Sequence, residues 1–314
     1  MAASPIAAEW SARRTFHHSL YSAQAIAAAR AERGLGVSVC LPARECGETV
    51  GEIVAALAGL RERGAIDEIV VVDAASPDGT ARIAAAAGAR VLQEAQLMGE
   101  LADELGEVRG KGDAMWRALP ELSGEIVCFL DADTEGFSSH YATGLIGPLV
   151  CEEEEIAFVK GFYRRPFRQG GVSLAQGGGR VNHLVGRPAL ELFYPQLAGF
   201  RQPLAGEVAA RRELLERVPF ATGYGVEIGM LIDVWREVGL AGMAQVDLEE
   251  HRNRHQSLQA LTGMAGTVLA TIAGRLEREG RLTGVELGER VLERPPHALG
   301  RPPHARARAL PSGR

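Results

Sequence analysis

The chain has 314 residues, 46% of them hydrophobic and 24% charged, with a formal net charge of −6. That length can bury a substantial core, and the acidic balance argues against a general nucleic-acid binder, whose footprint is basic. No apolar run reaches the roughly 18–20 residues of a membrane span, and residues 1–14 lack the order of a signal peptide, so a cytoplasmic protein without membrane partners is expected.

Residues 22–33 are Ala-rich and predict a helix ahead of the first strand, Val37-Ser38-Val39-Cys40-Leu41, which Pro42 is expected to stop. Val50, Ile53, Val54, Leu57 and Leu60 form a helical stripe over 48–60. Glu68-Ile69-Val70-Val71-Val72-Asp73 is a second strand, followed by the turn Ser76-Pro77-Asp78-Gly79-Thr80 and a helix over 81–87. A short strand at 90–92 and a helix at 111–119 lead to a fourth strand, 125–131. Regular alternation over 37–131 implies right-handed βαβ units. The expected class is α/β, a Rossmann-like and mostly parallel sheet flanked by helices, with a helical C-terminal extension.

Beyond residue 135 a strand is expected at 156–160, helices at 189–197, 209–217 and 227–238, a last strand at 244–248 and a long amphipathic helix at 257–279. The chain therefore divides into an N-terminal helical segment (1–34), a catalytic domain (35–255, its halves meeting near 135) and a C-terminal helix (256–290). The rest, 291–314, is rich in Arg, Ala and Pro and is expected to be disordered. Cys40, Cys46, Cys128 and Cys151 lack C-x-x-C spacing and fit reduced thiols in a reducing compartment.

The most informative residues are Asp131-Ala132-Asp133, which end a short, continuous apolar run. Open α/β sheets bind ligands at the carboxyl ends of such strands. Paired carboxylates there can hold a divalent cation that neutralises a diphosphate leaving group, as nucleotide-sugar transferases do. Strand ends also supply Pro42-Ala43-Arg44-Glu45 and Asp73, beside which a nucleotide base and ribose would lie. Gly110-Lys111-Gly112 opens a helix where a lysine can meet a phosphate or a base carbonyl. Gly177-Gly178-Gly179-Arg180-Val181-Asn182 offers backbone N–H groups and a guanidinium fork to an anionic acceptor. Glu227, after Gly223-Tyr224-Gly225-Val226, starts a helix and can bind sugar hydroxyls. His251 follows the last strand, and its imidazole can complete a metal site begun by carboxylates.

In this order, together with Phe162-Tyr163-Arg164-Arg165-Pro166 and His251-Arg252-Asn253-Arg254, these motifs resemble the glucosyl-3-phosphoglycerate synthases and the related mannosyl-3-phosphoglycerate synthases over about 37–261. The resemblance implies a GT-A glycosyltransferase fold, a homodimer and a Mg2+ or Mn2+ ion. It implies transfer of glucose or mannose from a UDP- or GDP-linked donor to the 2-hydroxyl of 3-phosphoglycerate, with retention. Asp133 and His251 would ligate the metal, with Asp131 beside them. Pro42, Ala43, Arg44, Glu45, Asp73, Ala74, Lys111, Asp131, Ala132 and Arg252 would hold the nucleotide. Tyr224, Gly225, Val226 and Glu227 would touch the sugar and diphosphate, and Gly179, Arg180, Val181, Asn182 and Asn253 the acceptor. Asp131, Asp133, Glu227 and Arg180 are the expected catalytic set. Arg44, Ala74 and Asn182 depart from the family pattern, and the first two leave the donor base open.

Two other functions use similar parts. A sugar-phosphate nucleotidyltransferase would carry a Gly-rich loop straight after the first strand, whereas Pro42-Ala43-Arg44-Glu45 has no glycine until Gly47. A non-catalytic nucleotide-sugar-binding protein would bind the donor without turnover.

Overall fold

The computed structural model describes residues 5–152, 155–169, 172–174, 178–252, 257–284, 288 and 290–297. The strands in chain order are β1 (Thr15–His17), β2 (Val37–Ala43), β3 (Glu68–Asp73), β4 (Arg90–Gln93), β5 (Ile126–Phe129) and β6 (Phe158–Arg164). They continue with the hairpin β7 (Phe167–Gln169) and β8 (Val172–Leu174), then β9 (Val208–Arg211), β10 (Phe220–Ala221), β11 (Met243–Glu250) and β12 (Glu293–Arg294). Eight of them form the central sheet, in the order β1-β11-β6-β9-β5-β2-β3-β4. Neighbours are parallel except at β9, which runs antiparallel to both β5 and β6.

The apolar runs are continuous because helices cover both faces. Ile69 and Val71 of β3 enter one layer with Leu41, Leu57 and Ile146, while Val70 and Val72 enter the other with Met115, Ile232 and Ile272. Helix Ala23–Arg33 starts where Ser22 Oγ accepts the Ala25 N–H at 3.1 Å and ends at Gly34, φ +64. A cap of that kind contributes about 1 kcal/mol. Among the described residues no helix is long and apolar enough to cross a membrane.

Three expectations need correction. β2 does not stop at Pro42 but continues to Ala43. Its pairing with β5 ends at Cys40–Phe129, so Pro42 lies past it and needs no N–H toward β5. The helix expected from residue 209 begins only at Arg212, because Val208–Arg211 is the antiparallel strand β9. Its alanines favour a helix locally, but the slot between β5 and β6 overrides that preference.

The third correction concerns the tail, of which residues 291–297 are packed as a strap. Thr222 donates its N–H and Oγ1–H to Leu292 O at 2.9 and 3.0 Å, and β12 pairs with β10. Arg294 grips Asp113 with two bonds, Nε to Oδ1 at 2.8 Å and Nη2 to Oδ2 at 2.7 Å. His297 stacks on Trp116, ring centroids 4.5 Å apart, while Trp116 Nε1 donates to Pro295 O at 2.8 Å. Charge pairing and stacking hold a segment whose apolar content predicts none of this. Residues 298–314, with the second Arg-Pro-Pro-His repeat, lie outside the described residues.

Asp113 is fully buried, and its partners are Arg294, Arg117 and the Arg109 N–H. Replacing Arg294 with Ala removes the bidentate partner of a buried carboxylate. Urea unfolding of Arg294→Ala should show a loss of about 3 kcal/mol; an unmoved midpoint would remove the strap from the forces that hold the fold.

Candidate active site

The carboxyl ends of β2 and β5 open onto a cavity of about 480 Å³, the place where open α/β sheets bind ligands. The turn after β5 is held from two sides. Thr49 Oγ1 donates to Ala132 O at 2.6 Å, and the Glu135 N–H donates to Arg252 O at 2.9 Å. The second bond draws in the chain that leaves β11, where the His251 N–H donates to Arg164 O at 3.0 Å. Carboxylates and imidazole from distant segments thus reach one wall.

Lys111 is the first residue of helix Lys111–Ala118, and small residues seat it. Gly110 has φ +76, and a Cβ on Gly112 would fall 2.0 Å from Ala221 O. Lys111 Nζ donates to Asp131 and, at 3.2 Å, to Glu227 Oε1. Gly206 passes close by: a Cβ there would lie 2.5 Å from both Asp131 Oδ1 and Lys111 Nζ. Burial opposes the Lys111 charge, yet Asp131 and Glu227 hold its pKa well above the ordinary value. The acids respond differently. Burial and the neighbouring Asp131 raise Asp133, whereas His251 and Lys111 hold Glu207 low against its own burial. Lys160, fully buried beneath the site and donating to Ala205 O at 2.7 Å, is lowered by burial to about 8.

Asp131, Glu207 and His251 present ligand atoms within 4.8 Å of one another. Glu207 was not singled out from the sequence. Read as a residue just ahead of a helix it carries no signal, but as the residue preceding β9 it is a carboxylate at a strand end. Tyr163 Oη donates to Glu207 Oε2 at 2.7 Å, and the Tyr163 ring stacks on His251 with centroids 4.3 Å apart. His251 Nε2 lies 2.9 Å from Glu207 Oε1 and 3.1 Å from Thr134 Oγ1. His251 Nδ1 and Glu207 Oε1, both buried, nevertheless lack a hydrogen-bond partner among the described residues. Orphaned ligand atoms among carboxylates fit a divalent cation.

Of the residues expected at the site, Pro42, Ala43, Arg44, Ala74, Lys111, Asp131, Ala132 and Asp133 line this cavity. So do Gly179, Arg180, Val181, Asn182, Tyr224, Glu227 and His251. Asp133 and His251 share one wall, although Asp133 is not in the tight three-residue set. Five others do not line the cavity: Glu45, Asp73, Gly225, Val226 and Arg252. Glu45 turns at φ +54 with its N–H on Ser76 Oγ, and Asp73 is buried behind the rim, accepting from Ser76 N and Gln93 Nε2. Gly225 and Val226 are buried at the helix start, where a Cβ on Gly225 would strike Thr271. Arg252 is exposed and bonds Glu250 Oε1 at 2.6 Å. Asn253 and Gly177 lie outside the described residues.

A doubly covered, mostly parallel sheet whose strand-end acids, imidazole and lysine share one cavity fits a glycosyltransferase. Residues 38–137 match the family described as glycosyl transferase family 2. A glucosyl-3-phosphoglycerate synthase of Mycolicibacterium smegmatis is 43% identical over 246 residues, 78% of this chain and 79% of that relative. The chain belongs to the glucosyl-3-phosphoglycerate synthase family, and it is a glycosyltransferase. Among solved structures, the mannosyl-3-phosphoglycerate synthase of Rubrobacter xylanophilus superposes with a TM-score of 0.84 at 43% identity, covering 94% of this chain and 98% of that one. The glucosyl-3-phosphoglycerate synthase of Mycobacterium tuberculosis, in complex with Mn2+, UDP and glucosyl-3-phosphoglycerate, superposes with a TM-score of 0.76 at 38% identity, covering 89% and 96%.

Glu207 Oε1 stands 2.9 Å from His251 Nε2, and loss of a carboxylate beside a metal-binding imidazole usually costs a factor of about 10–100 in affinity. Glu207→Gln should weaken Mn2+ binding by that factor when free Mn2+ is followed by electron paramagnetic resonance. Parent-like affinity would leave Glu207 a packing residue.

Proposed function

We propose that the protein transfers glucose or mannose from a UDP- or GDP-linked donor to the 2-hydroxyl of 3-phosphoglycerate, with retention at the anomeric carbon. One observation carries this reading. A single cavity is lined both by the strand-end acids with Lys111 and by the Gly179–Asn182 loop with its guanidinium. The Mycobacterium tuberculosis complex, which holds Mn2+, UDP and a glucosylated phosphoglycerate, supports it.

Pro42, Ala43, Arg44 and Ala74 would hold the base and ribose at the ends of β2 and β3. Asp133 and His251 would hold a Mg2+ or Mn2+ ion, with Asp131 and Glu207 in reach. When bound, such an ion neutralises charge on the diphosphate leaving group. Arg180 offers a planar fork to the acceptor carboxylate or phosphate, and Gly179 exposes backbone N–H groups beside it. These contacts would present the acceptor hydroxyl on the face that the leaving group vacates. Glu227 shares the Lys111 ammonium, which suits a carboxylate that positions sugar hydroxyls better than one that attacks carbon. Front-face attack follows, with the departing phosphate taking the hydroxyl proton.

UDP-glucose, GDP-glucose and GDP-mannose should be assayed against 3-phosphoglycerate with and without chelator. At least one donor should give an α-linked product by NMR, and chelator should abolish it; an inverted product would sink the front-face mechanism. Asp133→Ala should abolish turnover in the presence of the ion. Arg180→Ala should raise the KM for 3-phosphoglycerate about tenfold or more while the donor KM holds, since a charge-assisted pair contributes about 1.5–3 kcal/mol. Equal shifts in both constants would detach Arg180 from the acceptor.

A further inference from the structure

At the far edge of the sheet, β1 pairs in parallel with β11 and sets His17 opposite Asp247. The register of β11 against β6 then slips between Asp247 and Glu250, and Glu249 adopts φ +66. A left-handed conformation costs a non-glycine residue roughly 1 kcal/mol, so its persistence there calls for a reason. The irregularity brings the Glu249 carboxylate to two imidazoles: Oε1 lies 3.7 Å from His17 Nε2 and 3.4 Å from His18 Nε2. His18 Nε2 is buried and makes no hydrogen bond among the described residues. The His140 ring packs against His18 at a tilt, with centroids 4.2 Å apart, and Gly144 leaves room for His18, since a Cβ there would fall 2.9 Å from His18 Cβ.

We propose that His17, His18 and Glu249 form a second divalent-cation site, separate from the cavity and suited to zinc-like ions. Their ligand atoms all lie within 4.8 Å of one another. Tetrahedral bonds of about 2.0–2.1 Å place ligand atoms about 3.4 Å apart, close to the two distances found. Two imidazoles and one carboxylate favour Zn2+ or Co2+, whereas Mg2+ prefers oxygen ligands. An ion on His17 Nε2 requires the tautomer protonated at Nδ1, and Ser19 Oγ, 2.8 Å from Nδ1, is placed to accept that proton. The Ser19 N–H donates to Nδ1 at 3.2 Å in the other tautomer, so an ion on Nε2 would favour the Nδ1–H···Ser19 Oγ arrangement over that cap. His140 Nε2 is engaged with Leu248 O at 3.2 Å and stands as a wall rather than a ligand. Occupancy would fasten the end of β1 to the end of β11, two residues ahead of His251.

The test is a calorimetric titration of the full chain with Zn2+ in excess Mg2+, and a parallel titration with Co2+ followed by visible absorption. One equivalent should bind in the parent and in Asp133→Ala, with the intense absorption of four-coordinate Co2+. Both His18→Ala and Glu249→Gln should weaken it at least about tenfold, no less than loss of an orienting partner does. Glu249 is exposed, so its variant reports even where His18→Ala fails to fold. No bound equivalent in the parent, loss of the ion in Asp133→Ala, or parent-like affinity in Glu249→Gln would each overturn the proposal.

Discussion

The Lys111 ammonium, held between Asp131 and Glu227, is the contact on which the rest of the site depends. Asp131, Asp133, Glu207 and Glu227 converge on one cavity wall or just behind it, and like charges so close repel one another. Burial, and after it the charge of Asp131, raise the pKa of Asp133. Lys111 offsets the repulsion at the rim and Lys160 from below, while Arg165 lines the same cavity. The carboxylates gather where an imidazole also points, a setting for a divalent ion, while Arg44, Arg165 and Arg180 of the same cavity suit a diphosphate.

Much of the surrounding covalent structure serves to let Lys111 arrive there. Gly112 and Gly206 are small because a side chain at either position would occupy the space of Ala221 O or of the Lys111–Asp131 pair itself. Asp113, two residues along the same helix, turns inward and is fixed by Arg117 and Arg294. A rigid sheet supplies the strand ends, and the loops between elements supply the chemistry, as is general where function sits on a stable scaffold.

The parallel half of the fold was legible because each strand is an uninterrupted apolar run and each helix an amphipathic stripe. β9 was not: Val208-Ala209-Ala210-Arg211 has neither alternation nor a β-branched cluster, and only its two neighbours make it a strand. Glu207 was lost with it, since a carboxylate takes its meaning from the element it precedes. The cavity-lining residues were recognisable because strand-end acids and glycine-flanked cations carry local signals. Arg252 does not line the cavity, because its neighbour Glu250 takes up its guanidinium. The strap at 291–297 escaped because ion pairs and ring stacking hold it, and composition records neither.

That strap has a temporal consequence. Arg294 completes the burial of Asp113, a partner 181 positions earlier in the chain. Contacts so distant in sequence form late and slow folding. During synthesis the sheet can assemble while the helix bearing Lys111 still lacks its Arg294 partner.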